Sequence, residues 1–327
     1  MDRRHFIGST GLGLLGLGCA TNLKTADSTR SPVYFSLTEN RVDFYSDRFK
    51  EPIKLIFIAD THLWESDSRE DPYRQYSGRM AKAYNQTIHF QTGSPTDPKE
   101  GFESALQKAV EGKADLFALV GDIVSYPSEV AIEWVRHKLD RVKVPYLYTG
   151  GNHDWHYEGM EGSSASLREK WTEERLKPLY QNENPLMTYR DIKGVRFITM
   201  DNSIYEILPE QLTMYEDYSA TDRPIVLMAH IPFYAPGRSV GYGCGHPQWN
   251  AENDRSYSIE RRPRWPRTGH SEVTYNFHKK LFSNPNLLGV FCGHIHKPSV
   301  DIINGIPQVV APPNLSGGYL DINFLPL

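Results

Sequence analysis

Hydrophobic residues in this chain gather into short runs with little alternation, and each run ends on residues that carry chemistry. Leu116-Phe117-Ala118-Leu119-Val120 is followed by Gly121-Asp122, and Ile53 to Ala59 by Asp60-Thr61-His62. Val144 to Tyr148 leads to Gly150-Gly151-Asn152-His153-Asp154, Ile225 to Ala229 to His230, and Leu287 to Cys292 to Gly293-His294-Ile295-His296. Apolar runs of this length predict strands covered on both faces, as in a parallel sheet between helices. A glycine directly after such a run lets the backbone turn sharply at the strand's C-terminal edge, where ligands collect in parallel α/β sheets. The pattern therefore predicts five strand ends that bring Asp, His and Asn side chains to one place. Asp60 and His62, two apart, share a side if strand geometry persists through them.

Between the strands the period changes. Phe102, Ala105, Leu106 and Ala109 fall on one stripe of a helix over 102–110. Ser128 is placed to cap a helix that turns Ile132, Val135 and Leu139 inward. Further helices are predicted over 166–176, broken by Pro178, from Pro209, where proline's missing N–H suits a helix start, and over 273–282. Met187 to Ile192 and Val195 to Asp201 read as a hairpin that begins a second sheet. Short strands are predicted at 300–303, 307–310 and 319–324, with a turn at Asn304-Gly305. Val42 to Tyr45 reads as an element at a sheet margin.

Residues 63–99 and 232–274 do not fit this grammar, because connections in an α/β unit are normally short. The first carries Trp64, Tyr73, Arg74 and Tyr76 near a predicted helix over 78–90; the second carries Tyr234, Arg238, Trp249 and a basic run containing Arg264 and Trp265. They leave the fold beside His62 and His230, so both are expected to rise as caps over the strand ends. Trp64, Arg74, Tyr234, Arg238, Trp249, Arg264 and Trp265 are then candidate substrate contacts: rings for an organic group, arginines for an anionic oxygen. A purely structural role for these aromatics stays open.

Composition narrows the picture. With 327 residues and 39% hydrophobic content the chain can bury one large core, so residues 53–327 are expected to form one domain with two insertions. A formal charge of -4 gives no general attraction to nucleic acid, and the basic run is too short and stiff to track a backbone. Three cysteines allow at most one disulfide, and Cys244 with Cys292 is the pair considered. At the N-terminus, Arg3-Arg4 precedes Phe6-Ile7 and a glycine-rich apolar run to Gly18, the layout of an export signal over 1–18, with linker and edge element over 19–52. The paired arginines resemble a twin-arginine signal, and Cys19 resembles a bacterial lipoprotein attachment site, although Gly16 stands where leucine is usual. The expectation is an exported, periplasmic or cell-envelope protein whose membrane contact is a lipid on Cys19; a plain N-terminal tail is the alternative.

Asp60-x-His62, Gly121-Asp122, Gly151-Asn152-His153-Asp154, His230 and Gly293-His294-x-His296, in this order at strand ends, resemble the calcineurin-like metallophosphoesterase superfamily. The resemblance spans about residues 53 to 324. It implies an α/β four-layer sandwich, two mixed β-sheets flanked by helices, and two divalent or mixed-valence metal ions. The first ion would be held by Asp60, His62, Asp122 and His296, the second by Asp122, Asn152, His230 and His294. His153 would contact the substrate phosphate rather than a metal. Purple acid phosphatases are similar in metal set but carry tyrosine three residues after the shared aspartate; here Ser125 stands there and Tyr126 one place later, which leaves Mn, Fe and Zn open.

The donor types agree with this on chemical grounds. Two carboxylates, an amide oxygen and four imidazoles suit a pair of divalent ions and leave the site net positive toward phosphate. Water held between such ions ionises near neutral pH and can attack phosphorus. The expected activity is hydrolysis of a phosphodiester or phosphomonoester with a sizeable organic group, a small molecule rather than a nucleic-acid polymer. A non-catalytic interaction scaffold and a pyrophosphatase acting on nucleotide-sugar-type substrates are the alternatives. Asp154 is expected either to orient an imidazole, that of His153 included, or to cap a turn.

Overall fold

A computed structural model describes residues 32–85, 87–250, 252–254 and 268–327. Cys19, Arg264, Trp265 and the paired arginines lie outside these residues. The described chain begins with a hairpin, β1 (Tyr34–Thr38) and β2 (Arg41–Tyr45), and enters the core with β3 (Ile53–Ile58). The first insertion follows, with short helices α1 (Arg74–Ser77) and α2 (Met80–Ala83) and the two-residue strands β4 (Thr87–Ile88) and β5 (Pro95–Thr96). Next come α3 (Pro98–Glu111), β6 (Leu116–Val120), α4 (Glu129–Asp140), β7 (Tyr146–Thr149) and α5 (Ser164–Trp171). The second half runs β8 (Met187–Ile192), β9 (Val195–Met200), α6 (Pro209–Ser219), β10 (Ile225–Ala229), α7 (Glu272–Leu281), β11 (Leu287–Cys292), β12 (Ser299–Ile303), β13 (Ile306–Val310) and β14 (Leu320–Leu325).

Two mixed six-stranded sheets result, ordered β1-β2-β14-β3-β6-β7 and β12-β13-β11-β10-β9-β8. The chemistry-bearing strands β3, β6 and β7 are mutually parallel, as are β9, β10, β11 and β13. The period of two along a strand explains the layers. Leu55 and Phe57 join Ala118, Val120, Val226, Met228 and Phe291 between the sheets, whereas Ile56, Ile58, Phe117 and Leu119 meet Phe102, Ala105, Ile132 and Val135 of the outer helices. On the far side, Ile198, Leu227 and Val290 pack with Tyr215, Phe277 and Leu281. The architecture is therefore an α/β sandwich of two mixed sheets flanked by helices. Among the described residues no helix is long and apolar enough to cross a membrane.

Caps set the helix starts. Asp97 accepts from Lys99 N and Glu100 N at 2.8 and 3.0 Å, so α3 begins four residues before its apolar stripe, with Pro98 at its first turn. Ser128 caps α4. Three expectations need correction. Val42 to Tyr45 is not at a margin, because β14 returns to lie between β2 and β3 and β1 takes the edge. The helix expected over 78–90 stops at Ala83, beyond which Thr87 and Ile88 pair with Thr96 and Pro95. The helix expected over 166–176 widens into a π turn at Thr172–Leu176, and Pro178 opens a 3-10 turn rather than simply ending it. The disulfide considered between Cys244 and Cys292 is not formed; both are small buried residues with free thiols.

The first insertion is fastened to the flank of the sandwich. Tyr73 stacks on Tyr157 at 5.0 Å and meets Trp171 edge-on, and Trp64 and Tyr76 pack on the same cluster. Glu70, 1% exposed, accepts from Arg175 Nη1 and Tyr157 Oη, both at 2.5 Å. Breaking a buried pair from one side strands the other charge, so Arg175→Ala is expected to cost about 3–5 kcal/mol of stability. Denaturant unfolding measures this, and a loss below about 1 kcal/mol would show that Glu70 finds solvent instead.

Candidate metal centre

Five of the chemistry-bearing residues share an unusual backbone. Asp60, His62, Asp122, His294 and His296 have φ of 58°, 54°, 53°, 73° and 51°. Side-chain-bearing residues in this left-handed region cost of order 1–3 kcal/mol each and persist where surrounding contacts over-determine them. Strand geometry thus does not persist through Asp60 and His62; the turns themselves bring the two side chains together. The contacts that hold them are backbone hydrogen bonds: Asp60 N to Gly121 O at 3.1 Å, His62 N to Asp122 O at 2.8 Å, and Leu315 N to Asp60 O at 2.9 Å. Glycines allow the closeness. A Cβ at Gly151 would lie 2.3 Å from Asp122 N, one at Gly293 2.4 Å from Ala59 Cβ, and one at Gly121 2.4 Å from the His230 ring.

The side chains converge in overlapping groups: Asp60, His62 and His296; Asp122, His230 and His294; and His62, Asp122 and His153, each with ligand atoms within 4.8 Å of one another. His296 Nε2 lies 3.3 Å from Asp60 Oδ1 and 3.0 Å from His62 Nε2. Asp122 Oδ2 is 3.1 Å from His230 Nε2 and 3.8 Å from His62 Nε2, so this carboxylate faces both ends of the cluster. His62 Nδ1 and both amide atoms of Asn152 are buried without a hydrogen-bond partner. Such orphaned atoms cost about 1–3 kcal/mol each when nothing meets them. Their presence beside two carboxylates and further imidazoles fits divalent cations with nitrogen and oxygen ligands.

Electrostatics follow from burial and crowding. Burial, then His153, pushes the His62 imidazole well below its usual range, which leaves a lone pair for a cation. Burial alone would raise the Asp122 carboxyl, but His230, His153 and His62 outweigh it and hold the group well below the carboxylate range. Burial lowers His230, and Asp122 reverses this and raises it to about 9. Asp154 is pushed up to about 7 by burial and by Asp122, against the N–H groups that favour its charge.

Asp154 does not orient the His153 ring. Its carboxylate accepts from Gly151 N at 2.7 Å, Asp122 N at 2.9 Å and Val124 N at 2.8 Å, which ties two loops together in the turn-capping role. His153 is placed by its backbone N–H to Asp122 Oδ1 at 2.7 Å and by its Nδ1, 3.3 Å from Ser125 O. Tyr126 donates to Trp64 O at 2.6 Å, so its hydroxyl points away from the cluster.

A cavity of about 330 Å³ opens on these groups, lined by Tyr84, Asp122, Asn152, His153, Gly241, His294, Ile295 and His296. The described substrate candidates are not among them, for identifiable reasons. Trp64 packs in the outer core and Trp249 is 1% exposed. Arg74 pairs with Asp71 at 2.7 Å, Arg238 pairs with Asp301, and Tyr234 packs on His246 at 4.8 Å. Each insertion nevertheless contributes to the wall, through Tyr84, whose ring stacks on His62 at 4.1 Å, and through Gly241. Sequence reasoning missed both, as well as Tyr205, whose hydroxyl is 2.8 Å from His294 Nε2. None of the three carried a signal in the sequence, since Tyr84 fell inside the helix expected over 78–90, which in fact stops at Ala83.

Comparison with family models identifies a family. The model of the calcineurin-like phosphoesterases matches residues 53–298. A protein named "Probable cyclic nucleotide phosphodiesterase" from Moraxella catarrhalis is 37% identical over 57 residues, 17% of this chain and 21% of that protein, so the match spans about a fifth of that relative's length. Among solved structures, a dimetal phosphatase from Danio rerio aligns over 81% of this chain and 88% of its own, with TM-score 0.49 and 11% identity. A purple acid phosphatase from yellow lupin, Lupinus luteus, aligns over 86% of this chain and 48% of its own, with TM-score 0.49 and 14% identity.

The geometry makes Asp154 a stability residue as well as a site residue. Asp154→Ala leaves three buried N–H groups without their acceptor, each worth about 1–3 kcal/mol. Denaturation together with metal analysis is expected to show lower stability and lower metal content at once; unchanged metal content in the folded variant would detach Asp154 from the geometry of Asp122.

Proposed function

This chain belongs to the calcineurin-like phosphoesterase family, and on that premise we propose that it hydrolyses a phosphoester with the help of two metal ions. The observation that carries the reading is the Asp122 carboxylate facing both His/Asp groups, 3.1 Å from His230 Nε2 and 3.8 Å from His62 Nε2, with the buried Asn152 amide unpartnered in the same cavity wall. Asp60, His62, Asp122 and His296 would hold one ion and Asp122, Asn152, His230 and His294 the other. Bound there, divalent ions supply an ionised water near neutral pH and neutralise charge that develops on phosphoryl oxygens.

The chain's own groups do the rest. Asp122 keeps the two halves of the cluster in register through its backbone bonds to His62 and Asp154. His153, partly exposed on the cavity wall, has Nδ1 3.3 Å from the Ser125 carbonyl; with Nδ1–H donating there, Nε2 is the nitrogen left for the substrate. It gives a proton to the leaving oxygen from the doubly protonated imidazolium and is left with a lone pair. The ring of Tyr84 and the side chain of Ile295 give the cavity apolar surface beside its polar floor, which favours a substrate with an organic group over a bare phosphoanhydride. The mature protein is proposed to be exported and held at the membrane by a lipid on Cys19; Arg3-Arg4 and the apolar run before Cys19 support this.

His153→Ala is expected to lower turnover by about 10²–10⁴ while both ions stay bound. Loss of an ion in that variant would make His153 a ligand instead. With manganese supplied, the protein is expected to cleave bis-aryl or nucleotide-like diesters at least as well as small monoesters, and pyrophosphate poorly, in a comparison of kcat/KM. Activity that survives exhaustive chelation would remove metal from the reaction, and absence of all hydrolysis would favour the scaffold alternative. Mass analysis of the native N-terminus is expected to find a lipid on Cys19, and an unmodified residue 1 would refute export.

A further inference from the structure

Beyond β9 the chain turns at Tyr205, which holds φ at 63°, a costly conformation for a bulky residue. Its ring is completely buried. The hydroxyl lies 2.8 Å from His294 Nε2, and the two rings cross at 80° with centroids 5.4 Å apart. The ring is braced by the second insertion. Trp249 stacks on it at 5.4 Å and 13°, and His270 stacks on Trp249 at 4.5 Å and 14°. Trp249 is fixed in turn by Nε1 donating to Asp254 Oδ2 at 3.0 Å. Gly243 approaches so closely that a Cβ there would lie 2.3 Å from Tyr205 Cδ1. Neither Tyr205 nor Trp249 lines the cavity.

Given the reading of His294 as a metal ligand, on which this rests, we infer that Tyr205 is a positioning residue for the ion that His294 holds. An imidazole has two nitrogens, and the one not given to the metal fixes ring orientation and tautomer through its own hydrogen bond. With Nε2 engaged by Tyr205, His294 meets its cation through Nδ1. The Nε2–H then donates to the phenol oxygen, which selects that tautomer and makes Nδ1 a better donor. The strained backbone at Tyr205 and the aromatic bracing behind it hold the hydroxyl at that point. The second insertion therefore acts on the metal centre from behind, through a ligand, in addition to supplying Gly241 to the cavity wall.

The test is titration of the metal-free full chain with Mn²⁺, comparing the parent with Tyr205→Phe and His294→Ala. Phenylalanine keeps the ring, the stacking and the bracing, so thermal unfolding is expected to match the parent. Affinity for one of two Mn²⁺ ions is expected to fall about 10- to 100-fold, the range for loss of a ligand's outer partner, with the other ion unaffected. At saturating Mn²⁺ the KM and kcat of Tyr205→Phe are expected to return to parent values, which damage to the fold would not allow. His294→Ala is expected to lose that same ion. If His294→Ala binds both ions as the parent does, the reading of the centre falls and this inference with it. If His294→Ala loses one ion while Tyr205→Phe binds both with parent affinity, the centre stands and the positioning role is overturned.

Discussion

Three backbone N–H groups, those of Gly151, Asp122 and Val124, converge on the buried carboxylate of Asp154, and the candidate metal centre is arranged around that convergence. Two of the donors flank the turn after β6 and the third belongs to the loop after β7, so one side chain sets the distance between neighbouring strand ends. The Asp122 turn then accepts His62 N, and Gly121 accepts Asp60 N, which extends the same constraint to the loop after β3. His294 N reaches Asp60 Oδ2 at 2.9 Å and brings in the second sheet. A local rearrangement at any of these turns would propagate, because each loop is held by the next rather than by the strands alone.

The left-handed turns make sense in this light. A strand that simply ran on would send Asp60 and His62 along the sheet direction, and the imidazoles of two sheets could not face one another. Reversing φ at five residues costs several kcal/mol in total. The interlocked backbone bonds and the close packing at Gly121, Gly151 and Gly293 are what this fold sets against that cost. Binding of a cation by Asn152, whose buried amide atoms otherwise lack partners, would add to it.

The strands and the convergence of their ends were legible because burial on both faces writes itself as an apolar run, and a glycine followed by Asp or His marks where the run stops. Helix starts were legible where a side chain caps them, as at Ser128, and less so where the cap precedes the apolar stripe, as at Asp97. The position of β2 was not, because it depends on β14, almost the whole chain away, returning to pair with it. Asp154 was only half legible: a carboxylate next to a candidate catalytic histidine reads equally as an imidazole partner or a backbone clamp, and the choice rests on where Asp122 and Val124 place their N–H groups. The substrate candidates failed for a common reason. Trp64, Trp249 and Arg238 have the right chemistry, but large rings and arginines in an insertion first satisfy burial and pairing within the fold.

What the insertions contribute instead is packing at or behind the imidazole rings of the cluster: Tyr84 directly, and Trp249 through Tyr205. Tyr84 covers the His62 imidazole at 4.1 Å, and Tyr205, braced by Trp249, stands 2.8 Å from His294 Nε2. These two histidines belong to different groups of the cluster, so each side of the centre has an aromatic residue behind or beside one imidazole. An imidazole on a turn has rotational freedom that a hydrogen bond at one of its nitrogens, or a ring stacked on its face, removes before any cation arrives. On the proposed reading, preorganisation of that kind is what the long, aromatic insertions beside His62 and His230 contribute, since Tyr84 and Gly241 are the residues of theirs that line the cavity.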